Sequence, residues 1–168
     1  RTEKLTVYLN QGNNTIKFYN NSGYAPDIDK IAIKDGAPST GTSYEAENGN
    51  NTLYGAAAVY SSNKCSGGYK VGYLGNNHGA IQFNNVNANF TGTHLMRIYY
   101  LSGNNRTFKI SVNSGTAKEV ICFDSGSFDD VQYKEILINL NSGSNTILFY
   151  NDEGWAPDLD RIVILDSF

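Results

Sequence analysis

The chain has 168 residues and a mass of 18.4 kDa, enough for one domain that buries its own core without disulfides or metals. Charged residues are 17% and the net charge is −3, below the roughly 25% charged of ordinary soluble domains. No Lys/Arg cluster supplies the basic patch that phosphate binding needs, so nucleic acid is not an expected partner. No apolar run nears the roughly 18 residues of a membrane helix, so no membrane partner is expected either. The chain opens on Arg rather than Met, and we expect a processed or excised piece of a longer protein. Polarity comes from uncharged groups, with 22 Asn, 17 Gly and 12 Tyr beside one Met. That is a composition of strands and turns.

Residues 1–36 hold three strand-like pieces, 5–9, 16–19 and 31–33. A small-residue stretch with one Pro follows, and we read 37–42 as a linker. Glu45 and Glu47 come next, in Tyr44-Glu45-Ala46-Glu47. On a strand such a pair shares one face, ~6–7 Å apart. Two like charges there need solvent, a basic partner or a cation. Cys65 and Cys122 are 57 residues apart, too far for a zinc ribbon. They are either one disulfide or two small buried thiols, and we favour the thiols.

His78 lies in the turn Asn76-Asn77-His78-Gly79, and His94 at a strand start. No nucleophile elbow, zinc-protease helix or phosphate loop accompanies either one. Alternating runs then recur: 94–100 with Met96, Ile98 and Tyr100 on one face, 107–112 with Phe108, Ile110 and Val112, and 135–140 with Ile136, Ile138 and Leu140. Asn-, Gly- and Ser-rich turns separate them. Ile147 and Phe149, then Ile162 and Ile164, continue the pattern. Trp155, the only Trp, stands in a turn after Asn151-Asp152-Glu153-Gly154. Asp158 and Asp160 repeat the i, i+2 carboxylate spacing. If the first and last strands are neighbours, these carboxylates and backbone carbonyls could form the all-oxygen shell that Ca²⁺ prefers. About nine short strands predict an all-β, antiparallel β-sandwich of jelly-roll type.

An internal repeat organises the chain. Residues 9–35, LNQGNNTIKFYNNSGYAPDIDKIAIKD, match residues 140–166, LNSGSNTILFYNDEGWAPDLDRIVILD, at an offset of 131 with 17 of 27 positions identical. That spacing is the size of a domain and not of a solenoid repeat. Residues 1–36 therefore read as the C-terminal fragment of a preceding homologous module and 43–168 as one complete module. The alternative is one domain with two similar hairpins. Tyr24 occupies the place of Trp155 in the first copy, so aromatic character recurs at the same loop position. Rings that meet the CH face of a sugar, beside amides that bond hydroxyls, make these loops candidate sugar contacts.

YEAE at 44–47, CSGGYKVGYLG at 65–75, LMRIYYLSGNNRTFKISVN at 95–113 and GSNTILFYNDEGWAPDLDRIVI at 143–164 resemble the carbohydrate-binding modules of family 35. The resemblance implies a non-catalytic jelly roll attached to a secreted, bacterial glycan-degrading enzyme, with a polysaccharide or oligosaccharide as ligand. It implies a structural Ca²⁺ on Glu45, Glu47 and Asp160, with a carbonyl from the loop 65–68. It also implies a sugar site in the loops at one end of the sandwich, with Asn151 and Trp155 carried over. Tyr73, Arg106 and Phe128 join them by chemistry and position, although many relatives place Trp where Phe128 stands. A catalytic domain and a tandem module would share the parent chain, and residues 1–36 would order themselves through self-association. Two alternatives stand beside this one: a spacer module without a sugar site, and a small glycoside hydrolase using one of the carboxylate pairs. The hydrolase needs two carboxylates across a cleft, which a pair along one strand does not supply.

Overall fold

The computed structural model describes residues 13–33 and 41–165, together with Val7 and Leu9. The chain divides into two units, one within residues 1–38 and one within 39–167.

Among the described residues the larger unit has eleven strands: β1 (Gly41–Glu45), β2 (Thr52–Gly55), β3 (Ala58–Ser61), β4 (Tyr69–Gly72), β5 (Gly79–Ala88), β6 (Gly92–Leu101), β7 (Arg106–Val112), β8 (Lys118–Cys122), β9 (Gln132–Leu140), β10 (Gly143–Tyr150) and β11 (Asp158–Leu165). They form two antiparallel sheets, as the alternating pattern predicts. One runs β3-β4-β11-β6-β9 with β1 also on β11, and the other runs β2-β5-β10-β7-β8. The extra strands beyond the expected nine include β2, β3 and β4, four residues each, too short for alternation to declare them. β1 begins inside the stretch read as linker.

The core lies between the sheets. Phe83, Phe108 and Phe149 are wholly buried and meet edge to face, with ring centroids 5.6 Å and 5.2 Å apart. Ile81, Met96, Ile98, Ile147, Leu159 and Ile162 surround them. The asparagines stitch the turns. Asn145, 2% exposed, donates its amide to the carbonyls of Val86, Asn141 and Gly143 and accepts from the Asn141 N–H and the Asn113 amide. Every polar group of that buried side chain is matched, so its burial carries no unpaired penalty. Cys65 and Cys122 are two separate buried thiols. Burial pushes the Cys122 thiol up to about 12. His94 sits two residues inside β6, its ring stacked on Phe90 at 4.3 Å.

In the smaller unit, the described residues 13–33 form no strand, and most of their apolar side chains are exposed. The expected strands at 16–19 and 31–33 are therefore absent, because a strand's backbone groups need a partner ladder. The expected strand at 5–9 falls mostly outside the described residues.

Candidate functional site

Two places on the module gather chemistry. The first lies on one edge of β11. β4 pairs with that edge only at Leu159, and β1 takes it over along Arg161–Leu165. Between them β11 carries a bulge at Asp160, since Leu159 faces Tyr100 and Arg161 faces the adjacent Tyr99. A bulge re-aims one side chain. It separates Asp160 from Asp158, which pairs with Lys70 at 2.9 Å. The expected four-carboxylate convergence therefore loses Asp158.

Glu45 ends β1, while Glu47 sits in the turn after it and not on the strand as expected. The turn still brings them together against the 3₁₀ turn Ser66–Gly68. A Cβ added at Gly67 would run into Glu47 Oε1 and lie 4.0 Å from Glu45 Oε2. Gly67 has φ +65°, so both its backbone and its bare Cα are required here. Glu45 Oε1 accepts from the Ser66 hydroxyl at 3.0 Å. Glu45 Oε2, Glu47 Oε2 and Asp160 Oδ1 are buried without any hydrogen-bond partner. The Arg161 Nε lies 3.7 Å from Asp160 Oδ2, too far for a hydrogen bond. Burial pushes the Asp160 carboxyl up to about 6, and the neighbouring Glu45 charge adds to it. Burial also raises Glu47. Among the described residues no three such groups form a ready-made metal cluster. The orphaned oxygens nonetheless give one small space three carboxylates and too little positive charge. An all-oxygen, anionic donor set of this kind suits Ca²⁺ chemistry.

The second place is built by two loops. Residues 73–78 follow β4, and residues 151–157 join β10 to β11. Backbone bonds zip them: Asn76 N–H donates to Gly154 O at 2.6 Å, Asn77 N–H to Asn151 O at 3.0 Å, and Ala156 N–H to Leu74 O at 2.9 Å. Tyr73 is held at φ +55°, a left-handed backbone that costs a bulky residue roughly 1–2 kcal/mol. The strained residue presents its ring outward, 56% exposed, edge-on to Trp155 at 6.0 Å. Trp155 is 40% exposed. Tyr60, from β3, adds a third ring 5.7 Å from Tyr73.

Arg106 borders this trio. Its guanidinium donates to Ala156 O at 3.1 Å and Asn104 Oδ1 at 2.9 Å, and covers the Phe128 ring at 4.6 Å. Lys70, 8% exposed, donates to Phe128 O and pairs with Asp158. Gly72 leaves room between the Tyr60 ring and the Asp158 carboxylate, which a Cβ would meet at 3.3 Å and 3.1 Å. Asn151 stands apart from these exposed groups. It is 6% exposed, its amide donates to Thr107 O and its carbonyl accepts from the Glu153 N–H. The fold therefore joins Tyr73 to Trp155, and Arg106 to Phe128, and buries Asn151 beneath their loop. Sequence reasoning missed Tyr60 and Lys70. Only the β3–β4 register, which sets Tyr60 opposite Lys70, brings them to the site.

A jelly roll whose end presents three clustered rings beside fixed polar groups is the architecture of a carbohydrate-binding module. No family model and no curated protein matches the chain. Solved structures do. A family 35 carbohydrate-binding module from Clostridium thermocellum is similar with TM-score 0.72 and 37% identity, over 74% of this chain and 98% of that one. A family 35 module from Paenibacillus barcinonensis has TM-score 0.69 and 30% identity, over 76% of this chain and all of the other. An exo-β-1,3-galactanase from Phanerochaete chrysosporium, solved with β-1,3-galactotriose, has TM-score 0.70 and 38% identity, over 75% of this chain and 29% of the enzyme. The chain belongs to the family 35 carbohydrate-binding modules, which are non-catalytic.

Proposed function

We propose that the module targets a secreted, bacterial glycan-degrading enzyme, a glycoside hydrolase or polysaccharide lyase, to its polysaccharide. Binding would raise the effective concentration of the catalytic domain on the polymer, and a tandem copy upstream would add avidity. The observation that carries this reading is the ring trio Tyr60, Tyr73 and Trp155, with Tyr73 strained so that its ring stays exposed. The rings would stack on pyranose CH faces, and the Arg106 and Asp158 side chains would orient hydroxyls. The likeness to the galactanase makes β-1,3-linked galactosyl chains the first ligand to test. Calorimetric titration with β-1,3-galactotriose and with a panel of other oligosaccharides checks it. Binding that is lost in Trp155→Ala and Tyr73→Ala supports the site. A folded protein that binds none of the panel is a spacer, and the reading fails.

Ca²⁺ would be held by Glu45, Glu47 and Asp160. It would supply the positive charge these buried carboxylates lack, and so tie β1, β11 and the loop before β4. A ligand that binds only the native state stabilises it by mass action. A chelator should lower the melting temperature, and Glu47→Ala should remove that response. An unchanged melting curve in protein shown to be metal-free would reject the site. Residues 1–36 would pair with a second copy of the chain, a reading supported by exposed Phe18, Ile28, Ile31 and Ile33. Light scattering with and without these residues tests it, since a full chain already monomeric rules it out.

A further inference from the structure

The outer face of the five-stranded sheet has a groove that none of Tyr60, Tyr73, Trp155, Arg106 and Phe128 lines. Alternation builds it. Ile81 and Phe83 of β5 and Ile147 and Phe149 of β10 point into the core. Ala80, Gln82, Leu148 and Tyr150 therefore stand on the opposite face. Tyr54 of β2 pairs with Ala80, Phe149 pairs with Ile81, Tyr150 pairs with Lys109 of β7, and Lys109 pairs with Glu119 of β8. One row across the sheet thus reads Tyr54, Ala80, Tyr150, Lys109, Glu119. The two tyrosines are two strand spacings apart, ~10 Å between backbones. The residue between them offers only a methyl group. The resulting trough has a volume of about 440 Å³ and is lined by Ala80, Gln82 and Leu148 and, where it reaches the two loops, by Asn77, His78 and Asn151.

The dimensions and groups suit a sugar ring. A pyranose between two tyrosines, above a methyl floor, meets apolar surface on its CH faces. Gln82 donates its amide to Asn84 Oδ1 at 2.8 Å, which orients the side chain and leaves its carbonyl for a hydroxyl. Asn77 and His78 add exposed polar groups at the end. Charge then selects among glycans. The Lys109 ammonium is already engaged by Asp152, by Glu153 at 3.0 Å and by Glu119 at 3.8 Å. Three carboxylates around one ammonium leave this rim negative, which repels a uronate. We infer that the outer face of the five-stranded sheet is a second carbohydrate site, which takes a neutral hexopyranose or pentopyranose chain and is independent of the Tyr73–Trp155 site.

The experiment is amide-resolved NMR titration of the full chain and of its Trp155→Ala variant. The probes are the hexasaccharides of cellulose, xylan, mannan and β-1,3-galactan, with hexagalacturonate as the anionic comparison. The expected result is that at least one neutral hexasaccharide shifts the amides of Tyr54, Ala80, Gln82 and Leu148 in both proteins. Ala80→Leu plugs the trough without removing a ring, and should weaken that response at least tenfold, as should Tyr54→Ala. Shifts confined to residues 73–76 and 152–157, with none at Asn77, His78, Asn151 or the strand residues of the groove, overturn this site and leave the loop site standing. Shifts confined to the groove do the reverse. Tighter binding of hexagalacturonate at the groove, or an undiminished groove response in folded Ala80→Leu, overturns the inference.

Discussion

Ile147, Phe149, Leu159 and Ile162 are wholly buried, while their counterparts 131 residues earlier are mostly exposed, Phe18 at 51% and Ile31 at 54%. The segments 13–33 and 144–164 are close copies in sequence. What they share in structure is local: Asn20 Oδ1 accepts the Ser22 N–H at 2.9 Å, and Asn151 Oδ1 accepts the Glu153 N–H at 3.0 Å. That two-residue Asx turn needs only its own chain. Everything else in the second copy needs partners. β10 is a strand because β5 and β7 flank it, and β11 because β6, β4 and β1 do. Each large apolar side chain gains roughly 1.5–3 kcal/mol from burial only where a core receives it. The same residues thus become a core and a site in one context and an exposed segment in the other.

Paired substitutions at matching positions test that contrast. Phe149→Ala should cost about 3–5 kcal/mol of stability, because its ring sits between Phe83 and Phe108. Phe18→Ala, outside that core, should leave the unfolding of the module itself within about 0.5 kcal/mol. Denaturant unfolding of both variants measures the difference, and an equal cost would mean that the first copy has a core of its own. Next, Asn151→Ala should cost about 1–3 kcal/mol, since it strands the Thr107 carbonyl and the Glu153 N–H. Asn20→Ala, with only the exposed turn to lose, should leave the melting temperature in place. At the ring position, Trp155→Ala should weaken glycan binding at least tenfold, about 1.4 kcal/mol, with little change in stability. Tyr24→Ala should leave affinity untouched, and a loss there would give the first copy a share in the ligand.

The smallest effect concerns protons. In metal-free protein the Asp160 carboxyl stands at about 6 against an ordinary 3.8. Between those values the folded state binds more protons than the unfolded one, so stability should fall as pH rises from about 4 to about 6. The proposed Ca²⁺ site requires ionised carboxylates, so stabilisation by added Ca²⁺ should instead grow over the same window. Thermal melts with chelator and with Ca²⁺ across pH 4–7 read both slopes. Asp160→Asn should flatten them, and Asp29→Asn, at the matching place in the first copy, should leave them alone.

Periodicity in the sequence was sufficient to announce the sandwich. The runs at 94–100, 107–112 and 135–140 all lie within strands of the structure. The long strands alternate over enough residues to declare which face is buried, whereas β2, β3 and β4 do not. Trp155 and Tyr73 were legible as loop aromatics because their neighbours are turn formers. Tyr60 was not, since it stands on a four-residue strand and reaches the loops only through pairing with β4. The Glu45, Glu47 and Asp160 cluster was legible as residues but not as geometry. Glu47 arrives from a turn rather than a strand face, and Asp160 is turned by a bulge that no spacing reveals.

The sequence by itself determined what is encoded within a few residues: the alternation of the long strands, the Asx turns, the glycines at positive φ and the aromatic character of one loop. These depend on local sterics and on hydrogen bonds between near neighbours, and of them the Asx turn forms in both copies. Only the tertiary structure decided which of the two copies became a core, which rings met at Tyr73, and which carboxylates were left buried without partners. Those outcomes rest on contacts between residues tens of positions apart, whose register and burial exist only once both sheets have formed.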